Sequence, residues 1–216
     1  MNAIERLLTR WRLSTIAYFA ILFKHTSTAI DTYRQLIQLA PQDRVLRLAL
    51  GNLYAEAGDI EAAVNEFEQL TAIAPSDADA WFNLGFLHDK RDELEPAERC
   101  FRRAVELKPT LDRAWYGIGL VLVKCGRLEE AIDAFKRNVK LQPYSPYGYY
   151  QLAMTYHHLG RSDAAWKVYD QLAEFEPKFS ATLKRDLQQT ASRAVAAGHD
   201  RSFDSVMKEV VTVGSV

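Results

Sequence analysis

The chain is poor in the features that usually announce a chemistry. It has two cysteines, Cys100 and Cys125, with no C-x-x-C spacing, so neither a disulfide framework nor a zinc ribbon is indicated and a reducing compartment is the easier home. It has no excess of either charge. The 27 Lys and Arg and the 28 Asp and Glu leave a formal net charge of -1, and they are mixed along the chain. No concentrated basic stripe exists to neutralise phosphates, which argues against nucleic acid as a partner. A phosphate loop, a dinucleotide fingerprint and a calcium loop are all missing, so no cofactor is expected. A convergent catalytic set is missing too. His157 and His158 are neighbours and so diverge on a helix, and neither has a His or carboxylate one turn away that would complete a metal pair. His88 takes a slot held by Tyr54 and Tyr156 elsewhere in the chain, which makes it a packing residue. The chain is therefore not expected to be an enzyme or to hold a metal.

What the sequence does contain is a soluble composition, 48% hydrophobic and 25% charged over 216 residues, and a period. Pro41, Pro75, Pro109, Pro143 and Pro177 stand 34 residues apart, each just after a helical stretch that proline cannot continue. Ala29, Ala63, Ala97, Ala131 and Ala165 keep the same step, as do Tyr33, Phe67, Phe101, Phe135 and Tyr169 four residues further on, hence on the same helical face. A further ladder aligns a bulky residue, an aliphatic and a small one: Trp81, Leu84 and Gly85, then Trp115, Ile118 and Gly119, then Tyr149, Leu152 and Ala153. The small residue and the alanine let two helices of a hairpin approach closely, while bulky residues fill the space between hairpins. Gly58, Gly126 and Gly160 sit in the turns of three repeats, as a left-handed helix terminus prefers. Lys24 and Asp92 hold that place in repeats one and three, so those turns are expected to cost more or to differ in shape.

These residues, W-x2-L-G followed by the alanine, the aromatic and the closing proline, resemble the tetratricopeptide repeat. The resemblance covers five units, 10–43, 44–77, 78–111, 112–145 and 146–179. The first is the most degenerate, with Leu13 and Ala20 in the bulky and aromatic places. It implies an all-α, right-handed superhelical solenoid of five helix-turn-helix repeats whose first helices line a concave surface. Leu183, Leu187, Ala191, Ala194 and Val195 recur at helical spacing after Pro177, and predict a capping helix over 180–198. Residues 199–216 read as a short amphipathic helix and tail, with Phe203, Val206, Met207 and Val210 on one face.

The N-terminal segment carries Arg6, Arg10 and Arg12 and then an apolar run from Leu13 to Phe23. Eleven residues are too few to span a bilayer, which takes roughly 17 to 25, though they match the length of a signal-peptide core. Ala29, Tyr33 and Pro41 are in register, so the run is expected to be the first repeat helix, with residues 1–9 a helical extension. Its alternatives are a membrane-surface or partner-docking helix and a signal or anchor. A run apolar all round needs cover on both sides: repeat two on one, and residues 1–9 or a second chain on the other.

Function then rests on surface shape. In the family the concave groove commonly takes up an extended peptide or a helix of a partner, and the resemblance implies the same here. Tyr149, Leu152, Ala153 and Tyr156 form a core stripe, and the family register turns Tyr147, Tyr150, Met154, His157 and His158 into the groove. Upstream the corresponding residues include Asn52, then Phe82, Asn83 and Phe86, then Arg113, Tyr116, Leu120 and Lys124. Asn52, Asn83 and Arg113 also match places in a clamp that binds the C-terminal carboxylate of heat-shock chaperones. However, Leu48 and Gly117 replace two of its basic residues, so asparagines bonding a partner's backbone beside aromatics that take its apolar side chains fit better. The expected function is a non-enzymatic, cytoplasmic scaffold, assembly adaptor or co-chaperone that binds a segment of another protein. The rival is a self-associating structural protein whose N-terminal helix or tail fills a neighbour's groove. Membrane association through residues 1–23 is a minor alternative.

Overall fold

Three of the helices begin on aspartate for a common reason. Asp43, Asp59 and Asp77 sit at N-caps and their carboxylates accept backbone N–H groups that a first helical turn leaves without partners: Val45 N at 3.0 Å and Leu46 N at 3.4 Å, Ala62 N at 3.1 Å, and Asp79 N and Ala80 N at 3.2 Å. The computed structural model describes the backbone of residues 3–196 and the side chains of 4–189. Among the described residues there are eleven helices: α1 Ala3–Leu22, α2 Thr26–Leu39, α3 Arg44–Ala57, α4 Ile60–Ile73, α5 Ala78–Lys90, α6 Leu94–Leu107, α7 Asp112–Lys124, α8 Leu128–Leu141, α9 Pro146–His158, α10 Ser162–Phe175 and α11 Pro177–Ala196. They fall into two units, Met1–Leu107 and Lys108–Val216. In the first, α1 packs on α2, α3 on α4 and α5 on α6, with α2 against α3 and α4 against α5. In the second, α7 packs on α8 and α9 on α10, with α8 against α9, and α11 lies on both α10 and α9.

The ladders meet inside the hairpins. A Cβ added to Gly51 would come within 2.8 Å of the Phe67 ring, one on Gly85 within 2.8 Å of Phe101, and one on Gly119 would overlap Phe135. The small slot of each first helix is therefore filled by the aromatic of the second, which lies at 2% exposure or less in all three hairpins. The five alanines of the other ladder are fully buried, leaving no room for a larger side chain.

All five turns share one backbone conformation. Gly58, Gly126 and Gly160 have φ of 81°, 75° and 72°, and Lys24 and Asp92 follow at 57° and 59°. Of the two outcomes expected for repeats one and three, a costlier turn or a different shape, the positive φ of Lys24 and Asp92 is the first. They keep the left-handed turn, and they bear the steric cost a Cβ carries there.

The bulky slot obeys a rule that composition hides. Trp81 Nε1 donates to the Pro75 carbonyl at 3.0 Å, Trp115 Nε1 to that of Pro109 at 2.9 Å, and Tyr149 Oη to that of Pro143 at 3.1 Å. Arg47, one period before Trp81, donates from Nε to the Pro41 carbonyl at 3.0 Å, with its other end on Glu66 at 2.9 Å. The slot wants a long apolar arm ending in a donor, because the carbonyl after a helix end needs a partner.

At the N-terminus, residues 3–9 continue the same helix as 10–22. They do not fold back to cover it, since an unbroken helix cannot reverse over itself. Leu13, Ala17 and Ala20 are buried among Leu36, Ala29, Leu46 and Leu53, while the opposite side of α1 is exposed. The short amphipathic segment at 199–216 lies outside the described residues.

Candidate functional site

The stripe expected to line a groove divides between the two units and meets different fates. In the first unit Asn52 is exposed on α3, with Val45 at 65% exposure about two turns before it. On α5, Phe82 is half-buried, its ring 5.8 Å from that of Phe101, and Asn83 is half-buried beside it. Phe86 is 45% exposed, with the Lys90 ammonium 5.3 Å from its ring centre. A large aromatic left this open on a rigid helix, with a cation over one side, is a surface with free apolar area.

In the second unit Arg113 is exposed, and Leu120 and Lys124 are half-buried on α7. Tyr116 sets its ring edge-on to Phe135 at 5.9 Å. Burial raises its phenol above the ordinary 10. Tyr147 remains half exposed, edge-on to Phe179 at 5.5 Å. Tyr150 and Met154 are interior residues, each 5% exposed. That corrects their expected place in an open groove. The physical reason is α11: the Phe179 ring stands edge-on to Tyr150 at 5.8 Å, and Tyr150 Oη donates to Asp186 Oδ2 at 2.8 Å. Burial first, and then the Asp186 carboxylate, push the Tyr150 phenol far above its usual range. Leu183 and Leu187 of α11 are 0% and 2% exposed. His157 and His158 are half-buried at the end of α9, their rings 6.3 Å apart. Burial lowers both pKa values, and brings His158, whose neighbour His157 adds a smaller repulsion, down to about 4. The His158 Nε2 atom is buried without a hydrogen-bond partner. These are neutral packing histidines at pH 7.

Asn52 and Asn83 lie in the first unit and Arg113 in the second. Two features escaped the sequence reading: the donor role of Arg47, which its charge disguised, and the acidic partner Asp186 for Tyr150. Among the described residues no group of three or more His, Cys, Asp or Glu is placed to hold a metal ion. Cys100 is buried, which pushes its thiol up to about 11. No described helix is long and apolar enough to cross a membrane.

Helix pairs with a small residue against an aromatic, a buried alanine and a closing proline define a tetratricopeptide-repeat protein. Residues 13–178 match the family model described as Cilia and flagella-associated protein 70 C-terminal domain, and the chain belongs to that family. Among solved structures, a MamA protein matches with a TM-score of 0.74 at 24% identity, over 79% of this chain and 93% of that one. MamA 41-end from Desulfovibrio magneticus RS-1 matches with a TM-score of 0.73 at 20% identity, over 78% of this chain and 96% of the other. YrrB, described as a TPR protein with an unusual peptide-binding site, matches with a TM-score of 0.68 at 21% identity, over 78% and 88%. No curated protein matches the sequence.

Proposed function

We propose that the chain is a non-enzymatic scaffold whose first-unit face, from Asn52 through Phe82, Asn83 and Phe86, takes up a peptide or helical segment of a partner protein. The observation that carries this reading is Phe86, a phenylalanine 45% exposed on a helix whose neighbouring Phe82 is tucked against Phe101 of its own hairpin. Helical-repeat scaffolds use such stripes, with an aromatic anchor for apolar side chains and asparagines for the partner's backbone. The peptide-binding site named for YrrB, a structural neighbour, is in keeping with this use. The reading extends to an assembly-adaptor or co-chaperone role in the cytoplasm. In the second unit, taken by itself, Arg113, Tyr116, Leu120, Lys124 and Tyr147 keep part of the equivalent stripe accessible, while Tyr150, Met154, His157 and His158 belong to packing.

The test selects binders from a displayed peptide library on the intact chain and compares wild type with Phe86→Ala by calorimetry. Phe86→Ala is expected to weaken binding about thirtyfold, or about 2 kcal/mol, with thermal unfolding unchanged. Binding that is indifferent to Phe86 defeats the reading.

A further inference from the structure

The outer side of α1 repeats its own pattern, distinct from the tetratricopeptide ladders. Ile4, Leu8, Trp11, Thr15, Tyr18 and Leu22 alternate at steps of four and three, the spacing of a seam that stays facing a partner helix. Five of the six are large apolar side chains 57% to 70% exposed. Leu7 and Phe19 flank the seam at 67% and 49%. The Phe19 ring sits edge-on to Tyr18 at 5.5 Å and stacked on Phe23 at 6.3 Å, so the aromatic part of the face is already ordered. The side of α1 that packs at home is the opposite one, Leu13, Ala17 and Ala20.

One period on, the positions of Ile16 and Phe19 are held by Leu50 and Leu53, and two periods on by Leu84 and Leu87, all 9% exposed or less. There a helix of the preceding hairpin packs against the first helix, α2 on α3 and α4 on α5. The same positions of α1 stand open at 38% and 49%. They are shaped to receive a helix.

We propose that the occupant is α1 of a second copy of this chain, in a two-fold pair of helices. Area favours it: the seam and its flanks expose apolar surface on the order of 800 Å² per chain, the amount one partner contributes to a stable interface. Self-complementarity favours it as well, because a two-fold contact presents one patch to itself and an uncharged seam meets no like charge there. A lipid surface fits less well. An interfacial helix carries Lys and Arg along the face opposite its apolar one, whereas the side of α1 opposite the seam is Leu13, Ala17 and Ala20, packed on the protein, and Arg10 Nη2 is held 2.8 Å from Asp43 Oδ2.

The intact chain is measured by light scattering coupled to size exclusion, beside Leu8→Glu/Trp11→Glu, which leaves Leu13, Ala17 and Ala20 in place, and Phe86→Ala. The expected result is twice the 24.6 kDa chain mass for wild type and Phe86→Ala. The double variant should give a monomer of unchanged helicity, with dimerisation weakened at least about a hundredfold. A bis-maleimide should link two Thr15→Cys/Cys125→Ser chains in either direction of pairing, which tests the seam even where the double variant folds poorly. A monomeric wild type overturns the proposal, and flotation with phosphatidylserine vesicles then shows whether lipid is the occupant. So does a dimer that Phe86→Ala dissolves, which would place α1 in a neighbour's groove. Failure of the Thr15→Cys chains to link overturns it too.

Discussion

Phe86 and Met154 hold the same place in the repeat, two periods apart, as do Phe82 and Tyr150. Yet Phe86 is 45% exposed and Met154 only 5%. For Tyr150 the difference from Phe82 is not in the helices that carry them, α5 and α9, but in α11, which lays Phe179 and Asp186 against it. Register alone therefore says which side of a helix a residue is on, and the next element decides whether that side remains a surface. In this chain the second unit has spent its aromatic stripe on holding its last helix, and the first unit has kept part of its own free.

The sharpest way to break that comparison is to truncate both aromatics. Tyr150→Ala is expected to cost about 3 to 5 kcal/mol, as for a buried large aromatic, whereas Phe86→Ala should change stability by less than about 0.5 kcal/mol. Urea denaturation reads both, and equal losses would erase the distinction. Next, Leu183→Ala in α11 should cost about 2 to 4 kcal/mol and loosen the cover over Tyr150. Its phenol should then titrate closer to the ordinary 10 in ultraviolet absorbance, while in the intact chain it stays protonated well beyond that.

A smaller effect separates the units by pH. Burial holds the folded-state pKa of His158 near 4, below the ordinary 6.5, so the unfolded chain takes up the proton first as pH falls. The contribution is complete above about 6.5 and is lost between there and about 4, on the order of 3 kcal/mol in all. His158→Gln should flatten the stability profile in that window, and an unchanged slope would show that His158 is not the group responsible. The least effect belongs to the turn of the first hairpin. Lys24→Gly at φ 57° removes the left-handed penalty and should raise stability by roughly 0.5 to 1 kcal/mol, seen as a higher unfolding midpoint.

The hairpins were legible in the sequence because their ladders depend on volume at fixed spacing, and volume can be read from residue type. Ala63 and Phe67 announce a close approach without any structure. The closing of the second unit's stripe was not legible, since it depends on where α11 starts. Pro146 opens α9, and one period later would be position 180, but α11 opens at Pro177. The shift goes with a change of side chains: Leu187 stands one period after the small Ala153, so α11 has no slot for a second helix to enter. Asp186, one period after Leu152, becomes a hydrogen-bond acceptor instead of core. Arg47 was illegible for a different reason, because charge is the first thing one notices in an arginine and reach with a donor is what the slot uses.

That donor slot also sets the order in which the molecule comes apart. From the second repeat onward each first helix is strapped by Arg47, Trp81, Trp115 or Tyr149 to the carbonyl of the loop before it. Leu13 has no donor to offer. The first helix is held to its unit by packing and by the exposed Arg10–Asp43 pair, of a kind that contributes little in water. Local opening should begin there, with α1 amides exchanging with solvent deuterium before those of α3 and α5. The face proposed to pair with a second copy thus belongs to the helix that its own chain grips least.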